Sequence, residues 1–539
     1  AWQDSGYMGL AQIDMIREDY TNGLDHIDRS LYRNWLNHKG RQLKVSFLRK
    51  TGDFAKAEAL INDSLAMDKF NMGCRFESYL IHTLQGNTEA AAAAKAEMKA
   101  LMRGAVHSYL EYAIDYASAG MYEEAAQLLS FVTEENEATY PMVYYALGYF
   151  ASKMGKKDEA LNLYKKAETM CPDYCFPNKL EEVLMLNDAM SLNPEGAKAL
   201  YYLGHFHYAA RIYDEAIACW EKSASINDTY PTVLRNLSLA YYNKQHNPQK
   251  ALATLEKAYN LDTTDARILM ELDQLYKKLR YPHRQRLDFL EAHADVVEQR
   301  DDLCIERITL YNQLGEYQKA YDLINSRKFH PWEGGEGKVT SQYLFCRVEL
   351  AKIAIREGRF ADAVRLLKET EKYPDNLGEG KLSMAEENDI HYWMGCAYEG
   401  LGEEALAKEY FTKATKGSAE PAIAFFYNDQ QPDKIFYQGL AWRKLGEEDK
   451  ARSRFNRLIK HGEKHLFDKV KIDYFAVSLP DLLIWDDDLN VRNQIHCNLV
   501  MGMGYLGLGD KEQARKFLSE VARLDINHQA GKQLLEMCG

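Results

Sequence analysis

Small and apolar positions recur down this chain at helical spacing, punctuated by a phrase in which a Gly is followed five residues later by an Ala. It reads GDFAKA at 52–57, GMYEEA at 120–125, GKKDEA at 155–160 and GEYQKA at 315–320. It returns as GRFADA at 358–363, GEEALA at 402–407, GEEDKA at 446–451 and GDKEQA at 509–514. Gly86 opens GNTEAA in the same phase, so the early steps from Gly52 to Gly86, Gly120 and Gly155 are 34, 34 and 35 residues. A Gly with positive φ ends one helix, and the acidic residues after it favour the N-terminus of the next. The Ala lets two helices approach closely. A second small residue seven positions on continues that face, as in Ala160/Ala167, Ala251/Ala258 and Ala407/Ala414. Another Gly often stands seven positions before the turn: Gly148, Gly204, Gly395, Gly439 and Gly502. The pattern predicts helical pairs in which both members carry a small contact residue. Such pairs cannot bury their apolar faces alone, so stacking must supply the core.

Some units depart from the phrase. Arg211 holds the turn position in ARIYDEA, His246 in KQHNPQKA and Arg280 in KLRYPHRQ, and the first unit, around DYTNGLDHIDRSL, is degenerate. The period also breaks. The step from Gly155 to Arg211 is 56 residues, which leaves room for an extra helix over 177–194 with Leu180, Val183, Leu184 and Leu186 on an apolar face. After Gly315 the steps lengthen to 43, 44, 44 and finally 63 residues. The C-terminal third therefore carries inserts: FHPWEGGEGKV, KYPDNLGEGKLSMAEEN, GSAEPAIAFFYNDQQPDK and KHGEKHLFDKVKIDYFAVSLPDLLIWDDDLN. Insertions in a stack of repeats emerge on one face, and long loops on a rigid frame are where binding usually resides.

The phased residues are those of the tetratricopeptide repeat, and the chain resembles that superfamily from end to end. The resemblance implies an all-α fold, a right-handed superhelical solenoid of about thirteen helical pairs with loop insertions in the C-terminal third. Its expected parts are an N-terminal array over 1–171, an extra helix with central units over 172–314, and units with long insertions over 315–539. Further phrases, PNKLEE, VEQRDDL, FHPWEGGEGKV, IHYWMGCAYEGLG and KIDYFAVSLPDLL, resemble the C-terminal repeat region of bacterial DUF5107-family proteins. That likeness implies an upstream β-rich domain similar to galactose mutarotase-like sandwiches, and through it an involvement with carbohydrate.

Composition narrows the function. At 539 residues the chain exceeds what one core usually serves, and its 12 prolines and 33 glycines leave little room for long linkers. A net charge of −13 lacks the basic footprint that nucleic-acid phosphates require. The 36 tyrosines suit helix-packing positions filled by large amphipathic side chains. No apolar run approaches the about 18 residues of a membrane span; the run at 422–427 is far too short. Nine singly scattered cysteines point to free thiols in a reducing, cytoplasmic compartment. The opening AWQDSGYMGL has neither an initiator Met nor a signal-like segment, so the chain is expected to be a fragment whose address is not visible.

No catalytic motif survives inspection, and neither a cofactor nor a metal is expected. GGEGKVT at 334–340 fails as a phosphate loop, with Trp332 at the first Gly position and Val339 where Ser or Thr must stand. Asp486-Asp487-Asp488 opens like a calcium loop, but Val491 and Cys497 occupy its Gly and Glu positions; an acidic helix start fits better. His461 and His465 lack a third zinc ligand, and Cys171 and Cys175 lack a second pair. The candidate binding residues are His330, Trp332, Glu333, Glu336 and Lys338 of the first insert, with His391 and Trp393 of IHYWMGCAYEG. Aromatic residues and paired acids exceed what a connector needs, and exposed aromatics are costly unless something covers them, either a ligand or domain, or the repeat joint itself if Trp332 packs over it as a plug. In the positions of a carboxylate clamp stand Asn236 and Arg267, but Glu271 intrudes. The expected function is a scaffold that binds a protein or peptide partner, or an upstream β-rich domain, in a groove lined or capped by the inserts. The alternative is a part of a carbohydrate-active enzyme whose loops help form the sugar site.

Overall fold

The computed structural model describes residues 2–134, 140–332, 334–383, 385–422, 431–471 and 484–539. Glu333, most of the apolar run at 422–427 and all of KIDYFAVSLPDLL beyond Lys471 lie outside the described residues. Among those described, the regular structure is α-helical, with a single 3₁₀ turn at Asp375–Leu377 and no strand. The chain divides into two compact units, Ala1–Leu237 and Ser238–Gly539.

In the first unit α1 (Trp2–Ile16) pairs with α2 (Tyr20–Arg33), α3 (His38–Lys50) with α4 (Phe54–Met67), and α5 (Met72–Leu84) with α6 (Thr88–Met102). Next come α7 (Val106–Ser118) with α8 (Tyr122–Ser130), α9 (Met142–Lys153) with α10 (Lys157–Thr169), a lone α11 (Leu180–Leu192), and α12 (Lys198–Ala209) with α13 (Tyr213–Ile226). The division between the units falls within α14 (Pro231–Asn243). The second unit continues with α15 (Pro248–Leu261), then α16 (Ala266–Lys278), α17 (His283–Ala292) and the short α18 (Ala294–Val297). Its later pairs are α19 (Asp301–Gln313) with α20 (Tyr317–Asn325), α21 (Lys338–Arg356) with α22 (Phe360–Lys368), and α23 (Asn388–Gly400) with α24 (Glu404–Ala414). The last are α25 (Pro432–Lys444) with α26 (Glu448–His465), α27 (Leu489–Leu508) with α28 (Lys511–Leu524), and a terminal α29 (Gln529–Met537). In each unit first helices of successive pairs touch at several joints, as α3 does α5 and α23 does α25, which makes each unit a solenoid-like stack.

The small residues explain the pairing. Alanines five positions past the turn, such as Ala57, Ala160, Ala363 and Ala451, are fully buried. A Cβ on Gly148 would lie 2.4 Å from the ring of Tyr164, on Gly204 2.3 Å from Trp220, and on Gly395 2.6 Å from Phe411. Each first helix thus yields a flat spot that one large side chain of its partner fills. The turns follow suit: Gly155 and Gly402 take φ of 79° and 78°, the left-handed region that favours glycine. Arg211, His246 and Arg280 hold the same position without a Gly and still take φ of 64°, 51° and 63°. The stack imposes that geometry on them despite the strain. Polar caps close the other ends, with Asp53, Asn87 and Asp510 accepting from the main-chain N–H three residues on.

The extra helix stands where the long step placed it, between α9 and α12. Its buried side differs from the expected apolar face. Glu182, Met185, Leu186 and Ala189 are buried, whereas Leu180 and Leu184 face outward. Glu182 goes inside because its carboxylate accepts from the main-chain N–H of Asn178 and Lys179, fixing the helix start, and that rotation turns the two leucines out.

The first unit also buries an ionic cluster. Arg49 Nε donates to Glu77 at 2.6 Å and its Nη2 to Glu124 at 3.1 Å, Lys50 reaches Glu124 at 2.7 Å, and the Tyr116 hydroxyl donates to Glu77 at 2.8 Å. Burial alone would raise the Glu124 carboxyl, but Lys50 and Arg49 outweigh it and hold it below its ordinary value of 4.5. A lowered carboxyl contributes stability that is present above its unfolded pKa and lost as pH falls through the folded one. Urea midpoints should therefore drop on acidification below the ordinary 4.5, and Glu124→Gln, less stable at neutral pH, should drop less. Arg211→Gly should relieve left-handed strain and raise stability by about 0.5–1 kcal/mol, net of the greater freedom of unfolded Gly; urea denaturation checks the sign.

Candidate functional site

The first insert is packed at Phe329, Gly335 and Val339 and half-buried or exposed at its other described positions. Phe329 is buried, and its N–H donates to the carbonyl of Asn376 at 2.7 Å. Asn376 Nδ2 in turn donates to the carbonyls of Ile324 and Arg327, both at 2.9 Å. The second insert also supplies Glu379, whose two carboxylate oxygens accept from Gly337 N–H at 3.0 and 3.1 Å. The anion position at the N-terminus of α21 is thus filled by the chain's own carboxylate. Trp332 is half-buried over Gly335, where a Cβ would fall 2.0 Å from the indole. His330 is exposed and its main-chain N–H donates to Asp301 at 2.8 Å, while Glu336 and Lys338 are exposed.

The two residues of α23 point different ways. His391 turns to Tyr410 of α24, ring centroids 6.2 Å apart, and burial pushes its pKa down. Trp393 Nε1 donates to the Tyr437 hydroxyl at 3.3 Å, with the Lys352 ammonium 5.2 Å from its ring centroid. Those two partners of Trp393, Lys352 and Tyr437, line a cavity of about 230 Å³ that also meets Val348, Asp389, Lys434 and Leu534. Lys434 pairs with Asp389 at 2.5 Å and Asp433 at 3.2 Å, and Lys352 with Glu349 at 2.6 Å. Burial alone would lower both ammonium groups, yet their carboxylate partners, with Tyr437 beside Lys352, raise them. The cavity is therefore charged but internally neutralised. Sequence reasoning missed these residues because no motif links positions from four different helices.

A further part of the second unit's surface is occupied by the chain itself. A non-helical run at 484–488, just before α27, crosses the surface made by α14 and α16. Trp485 is 1% exposed. Its Nε1 donates to the carbonyl of Glu271 at 3.1 Å, and its ring meets Tyr242 edge-on at 5.2 Å. Asn243 brackets this residue: its Nδ2 donates to the Ile484 carbonyl at 2.8 Å, and its Oδ1 accepts from the Asp486 N–H at 2.8 Å. Lys278 pairs with Asp487 at 2.9 Å, and Lys244 lies 3.5 Å from Asp486. Burying the indole contributes roughly 2–3 kcal/mol. Beyond Trp485, the turn at Asn527 and α29 pack on earlier repeats. Asn527 Oδ1 meets His283 at 3.2 Å and Arg286 at 3.4 Å, and Lys532 donates to the Gln313 carbonyl at 2.7 Å. This part of the second unit's surface is thus covered by the C-terminal part of the same unit.

The remaining motifs resolve plainly. Asp488 caps α27 through the Asn490 N–H at 2.8 Å, as an acidic helix start should. His461 and His465 lie 4.7 Å apart, but no group of three metal-ligating side chains is placed for a metal among the described residues. Arg267 Nε donates to Glu271 at 3.1 Å and Asn236 meets His205 at 3.2 Å, so each clamp position is spent within its own unit. No described helix is long and apolar enough to cross a membrane.

Models of the tetratricopeptide repeat match residues 143–174, 389–416 and 435–461. These stretches cover α9–α10, α23–α24 and α25–α26, so the chain carries tetratricopeptide repeats. Among solved structures it is similar to YrrB, described as a TPR protein with an unusual peptide-binding site, at 18% identity over 39% of this chain and 95% of that one, with a TM-score of 0.18. It is similar to pilF of Pseudomonas aeruginosa at 19% identity over 41% and 90% of the two chains, with a TM-score of 0.25. The Cut9–Hcn1 hetero-tetramer of the APC/C aligns over 98% of this chain and 95% of that one at 12% identity, with a TM-score of 0.25.

Proposed function

We propose that this chain is a protein-binding scaffold that takes a non-helical peptide segment on the α14–α16 surface of its second unit. One observation supports the reading above the rest: that surface holds residues 484–487 through main-chain atoms, an indole slot and two lysines. Main-chain bracketing by an Asn amide reads a peptide without regard to its side chains, and the slot and lysines add selectivity. The segment comes from a partner protein, or from the upstream β-rich domain that the DUF5107 resemblance implies. His330, Glu336 and Lys338, exposed on the first insert, and Trp393 beside the charged cavity are proposed as secondary contacts.

The test uses the full chain carrying Trp485→Ala, Asp486→Ala and Asp487→Ala, which removes the resident indole and both acids and so loosens the resident run's hold on the surface, and a labelled peptide of residues 484–490. Saturable one-to-one binding is expected by fluorescence anisotropy. Adding Asn243→Ala should weaken it about 5- to 100-fold, the loss of two main-chain hydrogen bonds. Absence of saturable binding, or indifference to Asn243→Ala, would refute the proposal.

A further inference from the structure

We infer that residues 484–487 are an internal stand-in for the partner: the α14–α16 surface selects an aromatic residue followed directly by two acids, and the chain's own copy keeps the surface closed until such a segment displaces it. This rests on the peptide-binding reading above and adds the partner's chemistry and its regulation.

Three separable contacts define the selectivity. The Asn243 amide touches only the main chain on either side of position 485, which fixes register. The slot behind it offers the Glu271 carbonyl and the Tyr242 edge, so a ring that carries an N–H fits better than a purely apolar one. Lys278 and Lys244 stand at the next two positions of the segment, where acids meet them. Asp488 marks the end of the recognised run, because its side chain serves α27 instead.

Other features suit exchange better than permanent closure. The acidic side chains stay reachable by solvent, 57% exposed for Asp486 and 30% for Asp487, with their lysines at 28% and 26%. Ion pairs this wet contribute little to stability, yet they steer and select charged partners. An open cavity of about 660 Å³, walled by Tyr242, His246, Leu279 and the same acids, lies alongside the run. An incoming segment has room to form its first contacts before the resident one leaves. A tethered ligand acts at an effective concentration in the millimolar range, so an outside peptide competes with it rather than finding an empty site.

The experiment uses the wild-type full chain, the triple variant above, and the peptide acetyl-Ile-Trp-Asp-Asp-Asp-Leu-Asn-amide. Binding to wild type should be about 10- to 1000-fold weaker than to the triple variant, because the tethered copy must first leave. As the peptide saturates wild type, the Asp486 amide should lose its protection from hydrogen exchange. A milder variant, Asp486→Asn with Asp487→Asn, loosens the run without opening the core and should bind the peptide at least about threefold more tightly than wild type. Peptides with Trp→Ala, or with the first two acids changed to Asn, should bind about tenfold more weakly, and the second difference should shrink at high salt. If the triple variant binds but Asp486 of wild type stays protected at saturation, the run is a fixed part of the fold and this inference fails while the peptide-binding reading stands. Equal binding of the altered peptides would refute the selectivity. Concentration-dependent dimers that exchange the run between copies would make a second copy the occupant and equally overturn it. No binding by the triple variant would remove the underlying reading itself.

Discussion

A large side chain can enter a helix–helix joint only where the facing helix offers no Cβ or a single methyl, and the rest of this molecule depends on that constraint. Phe455 shows it most fully. A Cβ on Gly439 of α25 would lie 2.4 Å from its ring, and one on Gly507 of α27 only 2.2 Å away. One phenyl ring therefore serves two joints, and α25, α26 and α27 are registered against one another by a single residue. Gly462 and Gly504 bring α26 and α27 together in the same way, against Met501 and Ile459. Because interiors pack at crystal-like density, such joints do not slide. Repeating them fixes the rise from pair to pair.

The parts of the fold that repeat were legible from sequence for the same reason. The spacing of Gly148, Gly204, Gly395, Gly439 and Gly502 marked the flat spots, and the turn positions held even where Arg211, His246 and Arg280 replaced Gly. Legibility failed where contacts are not periodic. The buried side of α11 was misjudged because Glu182 satisfies two main-chain N–H groups at the helix start, a capping role that apolar counting does not register. Gly504 and Gly507 passed unnoticed because they sit off the phase that marks Gly502.

The candidate site depends on contacts of a different kind. Aromatics and acids in the first insert suggested a ligand; of these, Phe329 goes into interlocking two inserts, under Asn376, while Glu379 of the second insert takes the start of α21. Trp485 drew no attention, since its hydrogen-bond partner, Glu271, lies 214 positions away. Only folding brings them together. The surface that holds Trp485 is the one on which the proposed peptide-binding reading rests. A stack of rigid pairs presents polar side chains at fixed spacing, and Asn243, Lys244 and Lys278 there meet the main chain and two carboxylates of the 484–487 run. Rigidity at the joints is what makes that spacing dependable.

The joint is tested most directly by a double-mutant cycle on Gly439 and Phe455, read by urea denaturation of the full chain. Gly439→Ala alone should overpack the joint, and Phe455→Leu alone should leave a void, each costing about 1–3 kcal/mol. Combined, the smaller side chain should make room for the added methyl, so that the double mutant is about 1 kcal/mol or more better than the sum. Strict additivity would mean that the glycine and the ring do not share one space, and would contradict the packing from which the stack is built.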